Sequence, residues 1–494
     1  MNERPKFNRR EFLKLAASSA CIAGAGFIVN RLQPFDAFVE VVKEKPEGKE
    51  HAGDACPMSE GEPPVPKLFS EAELPERLKT AEADPSVVVS RAVRINFGVL
   101  HALGKGDELD LNFFPEEEGM VITTIERIEE KKNGTKVMFG VDKKREGWSE
   151  IVLLEKGNVL VGLVNTKDRI YRIGYSGEAD IHLVQEINIS KLPPKGTPLK
   201  PPPPDAGIDV QEAGLEAEKT KNETGAETPI VTMAVFYTPA AKAGAGGKEA
   251  VEAEIELALE LARKAFQDSG VDVGLELTYV GEVNYTESGD ILIDLTRFAY
   301  PQGESDPEGY MDEVLGIRDQ SEVWADEMGL MEEEGDVCGR GWLLTSHYTV
   351  EYFANYSFFG FLRKCIPNYT LNHEMDQNLG TIEQEKFGLK GFFDYSHGYA
   401  KPGIFYTVGA YPEAGGRRIN RISNPRKRVE IEDNRSYVTG TARQDNARTL
   451  NHTGFEYGQN YRSGDGPLPE PTETPEPTLS FPIYLSLIMK ASPK

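Results

Sequence analysis

The sequence predicts an α/β domain preceded by a small β-rich domain, and three patterns carry that expectation. From Val88 to about Pro193, short apolar-alternating runs are separated by turn signals. From about Pro229 a strand, a long helix and a second strand follow one another, the order of α/β packing with a parallel pair. Between them lies a proline-rich stretch, Pro193 to Pro204, with four consecutive prolines at 201–204. Polyproline is stiff and extended, so the stretch is expected to space two bodies that fold separately.

Composition sets the outer limits. At 494 residues the chain exceeds one ordinary domain, and 39% hydrophobic with 9% aromatic residues suffices for packed cores. Eighty acidic against 55 basic residues give a net charge of −25, which speaks against nucleic acid and against anionic membrane as partners. Four cysteines cannot staple a chain of this size, so apolar cores must hold it. No apolar stretch approaches the roughly 20 residues of a spanning helix, which excludes a polytopic membrane protein.

In chain order, residues 1–30 come first. Asn8-Arg9-Arg10-Glu11-Phe12-Leu13-Lys14 precedes a weakly apolar stretch from Leu15 to Val29. This resembles a twin-arginine export signal, carried by Arg9 and Arg10, and implies a periplasmic or extracellular protein. Cleavage after Ala25 and retention as an anchor both stay open, and the membrane is expected to be touched only through a retained signal. Residues 31–87, rich in Glu, Lys and Pro, are expected to be a linker.

Within the β-rich domain, 88–194, Val121 to Ile125 and Val137 to Phe139 flank Asn133-Gly134, a hairpin signal. Residues 195–228 form the proline-rich linker. The second domain, 229–463, opens with a strand at Ile230 to Phe236. A helix over about Lys248 to Gln267 follows, with Val251, Ile255, Leu259, Ala262 and Phe266 on one face. Leu275 to Val280 is the next strand, and a second helix is expected over about Met311 to Met328. A tail, 464–494, is again rich in Pro, Thr and Glu.

The segment Asn372 to Gln384 carries the chemistry. On a helix, His373 and Gln377 lie four apart and can aim at one point. Gly380 can stop that helix in a left-handed conformation and let Glu383 swing back to the same point. Where all three positions are histidines, such a helix holds zinc, and a glutamate at the place of Glu374 takes a proton from the metal-bound water.

The segment resembles the extended zinc motif of the metzincin metallopeptidases, His-Glu-x-x-His-x-x-Gly-x-x-His, closest to reprolysin-like bacterial members. Val235-Phe236-Tyr237-Thr238-Pro239, Ser396-His397-Gly398-Tyr399 and Asp445-Asn446-Ala447-Arg448 follow in the family's order. Residues 170–194 resemble the end of its propeptide-like N-terminal domain. The resemblance spans roughly 100–200 and 229–460. It implies a twisted mixed sheet with helices, a disulfide between Cys338 and Cys365 in an exported compartment, and zinc as cofactor. Cys56 could cap such a metal from a propeptide, although a loose linker thiol is the plainer expectation.

The departures weigh against catalysis. His373, Glu374, Asn378 and Gly380 match, but the second and third histidines are Gln377 and Glu383, and the family's next aspartate is Gln384. The methionine turn beneath the zinc falls at Thr407 to Tyr411, where the position is Gly409. An amide is a weak zinc ligand, so zinc is expected to be held loosely or not at all. His397 and His347 are expected to be structural and rim residues. Arg417 to Arg428 forms a basic island that either balances nearby carboxylates or holds an acidic partner. The expectation is an inactive peptidase homologue binding peptide or protein in its cleft. Its rival is a divergent endopeptidase with His373, Gln377 and Glu383 around a metal and Glu374 as base. The oligomeric state is not legible.

Overall fold

The computed structural model describes residues 64–79, 84–114, 120–143, 148–200, 228–299, 311–318, 320, 322–432 and 435–460. Arg9, Arg10, Cys56, the prolines at 201–204 and the tail lie outside these residues. The described residues belong to one compact unit. Among the described residues no helix is long and apolar enough to cross a membrane.

Nine strands form the first sheet: β1 (Phe69–Glu71), β2 (Val87–Ile95), β3 (Glu108–Asn112), β4 (Met120–Glu130), β5 (Lys136–Asp142), β6 (Glu150–Lys156), β7 (Val159–Asn165), β8 (Ile170–Tyr175) and β9 (His182–Ile187). They are ordered β1-β2-β9-β8-β7-β6-β5-β4-β3 with every neighbour antiparallel. Leu68 N–H donates to Asp110 O (3.0 Å) and Asp110 N–H to Pro66 O (2.9 Å), so the sheet closes on itself. Closure satisfies edge groups that an open sheet would leave exposed. The β4–β5 hairpin turns at Asn133-Gly134, where Gly134 takes φ +83°. The sheet begins earlier than expected: β1 lies inside 31–87, the stretch expected to be linker.

Strand periodicity explains the two apolar faces of this barrel. Met138, Leu153, Leu160 and Val164 point into its interior with Leu109, Leu111 and Tyr171. Their neighbours Val137, Phe139, Val152, Leu154, Val161 and Leu163 point outward and join the core of the second domain. The two bodies therefore share one core. An apolar outer face on β5–β7 needs a cover, and a helix supplies it.

The second sheet contains β10 (Ile230–Tyr237), β11 (Gly274–Glu282), β12 (Glu327–Glu332), β13 (Gly339–Gly341) and β14 (Phe358–Leu362), ordered β11-β10-β12-β14-β13. The first four are parallel and β13 runs antiparallel at the edge, so the sheet is mixed. Helix α1 (Pro239–Ala245) starts at Thr238, whose Oγ1 accepts from Ala241 N–H (3.0 Å). Helix α2 (Lys248–Ser269) ends at Gly270, φ +73°. Its residues Val251, Ile255, Leu259, Ala262 and Phe266 lie in the core shared with the outer barrel face.

The helix expected over Met311 to Met328 is only Glu313–Arg318, and its last two positions, Glu327 and Met328, open the strand β12. Parallel pairing on both sides of Met328 to Met331 overrides local helix propensity, a tertiary effect invisible in a window of sequence. Three further helices are α3 (Ile291–Ala299), α4 (Thr370–Asn378) and α5 (Asn446–Asn460). Cys338 and Cys365, both fully buried, form a disulfide that ties β13 to the segment following β14.

Candidate functional site

Helix α4 carries the motif and is buried along its whole length. It starts at Tyr369, a non-glycine residue at φ +57°, whose hydroxyl donates to Glu150 Oε2 (2.8 Å) and accepts from Asn165 Nδ2 (2.9 Å). Barrel residues thus pin the left-handed turn that opens the helix. At the other end Gly380 takes φ +90° and returns its N–H to Gln377 O (2.9 Å). A Cβ there would stand 2.8 Å from Phe392 Cβ, so conformation and space both demand glycine.

The turn at Gly380 brings Glu383 back over the helix. His373 Nε2 and Glu383 Oε1 are 3.2 Å apart, and Gln377 Nε2 is 3.1 Å from each. The three expected site residues thus converge on one point. His373 Nδ1 lies 3.1 Å from Val408 O. A carbonyl only accepts, so Nδ1 carries the proton and Nε2 is left as an acceptor. Glu383 Oε1 also accepts, so the Gln377 amide must turn its NH2 towards both. Val408 belongs to the expected turn beneath the site, and Gly409 in it would press a Cβ to 2.7 Å from Asn446 Nδ2.

Burial dominates the electrostatics. His373 is pushed down to about 4, first by burial and then by the charge of Lys195, and is neutral near pH 7. Glu374 is pushed up to about 8 by burial, against the pull of Lys195. Burial also raises Asp376 well above the usual carboxylate range. Burial acts to raise Glu383 too, but neighbouring groups, the charge of Lys195 among them, outweigh this and hold it below its ordinary value. Among the described residues Glu374 Oε1, both Asp376 oxygens and Gln377 Oε1 have no hydrogen-bond partner.

These side chains do not fit a zinc site. Imidazole and carboxylate are good zinc donors, but the amide between them is neutral, weak and turned nitrogen-first. Among the described residues no group of three or more His, Cys, Asp or Glu side chains is placed to hold a metal ion.

The remaining expected residues find structural places. His397 Nδ1 lies 2.7 Å from Glu383 O and fixes the backbone of that turn. Gln384 donates to Tyr411 O (2.8 Å) and accepts from Tyr411 N–H (2.9 Å). His347 is exposed on the rim of a cavity of about 570 Å³ lined also by Lys200, Thr345, Tyr348 and Lys390. Residues of the basic island are engaged internally: Arg417 lies over Trp148 (4.3 Å), and Arg421 and Arg426 pair with Asp268 and Asp445.

Three site residues escaped the sequence. Arg418, buried, donates to Asn368 O (2.9 Å) and Ala410 O (2.8 Å). Tyr411 stands beside Glu383, and burial raises its hydroxyl. Lys195, from the stretch expected to be linker, turns its amine inward to 5.7 Å from the centre of the Tyr411 ring, and burial lowers that amine well below its ordinary value. The available signal was a lone lysine between Pro194 and Gly196, followed by the apolar Leu199.

No family profile matches the chain. It is similar to proteins named peptidyl-Asp metalloendopeptidase. One from Stenotrophomonas maltophilia strain R551-3 is 24% identical over 293 residues, 56% of this chain and 63% of the relative. One from strain K279a is 24% identical over 319 residues, 62% of this chain and 69% of that one. One from Pseudomonas aeruginosa is 26% identical over 217 residues, 40% and 34% of the two chains. The chain thus spans less than two thirds of the first relative's length. Among solved structures, metalloproteinase-II from Bacteroides fragilis aligns with a TM-score of 0.32 at 14% identity, covering 58% of this chain and 85% of that one. A chain in a structure titled as a chaperone–substrate complex aligns with a TM-score of 0.34 at 16% identity, covering 47% and 35%. The sequence similarity is to metallopeptidases.

Proposed function

We propose that the chain is an exported, reprolysin-like metzincin homologue whose zinc site has been dismantled, and that it acts by holding peptide or protein rather than by cutting it. The supporting observation is the Gln377 amide. Its NH2 takes the electron pairs of His373 Nε2 and Glu383 Oε1, the two atoms best able to bind a metal. Without a metal nothing lowers the pKa of an attacking water towards neutrality, and Glu374 alone is a feeble activator.

Elemental analysis of the full chain after dialysis tests this. The expected result is well under one zinc per chain and no hydrolysis of casein. Stoichiometric metal together with hydrolysis abolished by a chelator and by Glu374→Gln would overturn it. Replacing both Gln377 and Glu383 by histidine should raise zinc affinity strongly, because all three donors would then be imidazoles at one point.

A second reading, a divergent zinc endopeptidase, draws on two observations. Glu374 is buried beside His373 and pushed up to about 8, a value suited to proton transfer near neutrality. The cavity bearing Lys200, His347 and Lys390 would suit an acidic side chain, and the relatives are named for aspartate.

A further inference from the structure

The barrel meets the α/β domain through the outward residues of β5, β6 and β7. Val137, Phe139, Val152, Leu154, Val161 and Leu163 are each at most 3% exposed and cluster with Val251, Ile255 and Leu259 of α2. Alternation along these strands gives the barrel a second apolar face, which it would present to water if it stood alone. Transient contacts between bodies are small and polar, whereas permanent ones resemble a domain core cut in half. This boundary is of the second kind.

Buried polar groups are matched across it as well. Glu150 of β6 is 1% exposed; its Oε1 accepts from Asn420 Nδ2 (3.0 Å) and its Oε2 from the Tyr369 hydroxyl (2.8 Å). Asn165 of β7 donates to the same hydroxyl (2.9 Å) and accepts from Arg417 Nη2 (2.7 Å). Thr135 Oγ1 donates to Glu256 Oε2 of α2 (2.7 Å), and Lys156 pairs with Glu256 (2.6 Å). Trp148 packs among Phe405, Ile419, Val429 and Ile431, and its N–H donates to Ile431 O (3.3 Å). After separation water can replace these hydrogen bonds, but nothing would then cover the apolar face. The apolar area therefore holds the two bodies together, and the polar pairs fix their register.

We propose that the barrel is a permanent half of this protein and not a propeptide that leaves. Cut between residues 205 and 227, the chain stays one particle, with the barrel still holding Tyr369 at the start of α4. This deepens the function proposed above by naming its regulation: loss of the barrel plays no part in switching the candidate site. It rests on that function only in treating the site as one that needs no activation.

The test is a full chain carrying the recognition sequence of a specific protease between residues 205 and 227, with cutting confirmed by mass spectrometry. On gel filtration the two pieces should elute together at the volume of the uncut chain. They should still do so after about hundredfold dilution from about 10 μM, and in about 1 M NaCl, which screens the rim ion pairs. A barrel piece that elutes by itself under any of these conditions would overturn the proposal. In Tyr369→Phe, which loses the hydroxyl between Glu150 and Asn165, the cut pieces should separate at a lower urea concentration than in the cut parent. Equal concentrations would overturn the role given to that hydroxyl. Casein hydrolysis by the cut, zinc-loaded protein would sink the function proposed above without altering the elution, whereas separated pieces without hydrolysis would sink this inference alone.

Discussion

His182 shows how a single buried side chain sets a pH limit. It lies in the barrel with no exposed surface, and its Nε2 accepts from Leu160 N–H (3.1 Å). Burial pushes it down to about 4 from 6.5. As pH falls through 6.5 the unfolded chain takes up a proton that the folded chain refuses, so this stability is full above 6.5 and drains away towards about 4. His182→Gln, which keeps an acceptor without a titrating ring, should flatten that loss when thermal midpoints are followed over the same range. Parallel curves for variant and parent would reject a neutral His182. Glu374 has the opposite sign. Its folded value of about 8 exceeds the ordinary 4.5, so its contribution is full below 4.5 and is lost as pH rises through 8. Glu374→Gln should therefore gain on the parent between pH 6 and 8.5. Much at this scale was legible, because a four-residue spacing on a helix fixes which side chains can meet. Lys195 was not, because its place beside Tyr411 brings together segments remote in sequence.

Elements were legible where the local pattern and the tertiary environment agree. Strand β10 and helix α2 fall close to where periodicity puts them, and Gly270 ends the helix. The strand β12 was hidden, because Glu327 to Glu332 has no alternation and is buried on both faces between parallel neighbours. Such strands carry no period-two signal. The turn after α4 is the element on which the site depends. Gly380→Ala would force a Cβ into both a left-handed conformation and Phe392, so a loss of about 1–3 kcal/mol is expected in urea unfolding. Glu383 should leave His373 at the same time, visible as a shift in the His373 ring resonances. An unchanged midpoint with unchanged resonances would show that the turn does not place Glu383.

The shared core makes a claim about the whole molecule. Barrel residues Phe139, Val152, Leu154, Val161 and Leu163 pack in one cluster with α2 and the second sheet. Within the second domain, buried Arg363 pairs with Glu254 of α2 (3.2 Å) and with half-buried Glu333 (2.5 Å). Calorimetry of the full chain should therefore give a single transition for barrel and α/β domain together, and two resolved peaks would show separate cores. Removing the Cys338–Cys365 bridge, which spans 27 residues of sequence, should cost ~3–4 kcal/mol by the chain-entropy relation. Cys338→Ser with Cys365→Ser, measured by urea unfolding without reductant, checks this. A loss much below 1 kcal/mol would mean that packing around β13 alone keeps the edge in place.

By itself the sequence determined the strands of period two, the long helix and its glycine stop, and the placement of His373, Gln377 and Glu383 around one point. Those features follow from short-range geometry: side-chain spacing, backbone freedom at glycine and donor chemistry. Only the tertiary structure decided that the barrel closes, that its outer face covers α2, and that Lys195 turns its amine inward beside Tyr411. Each of these depends on hydrogen bonds and buried surface between segments remote in sequence, whose pairing no local pattern encodes.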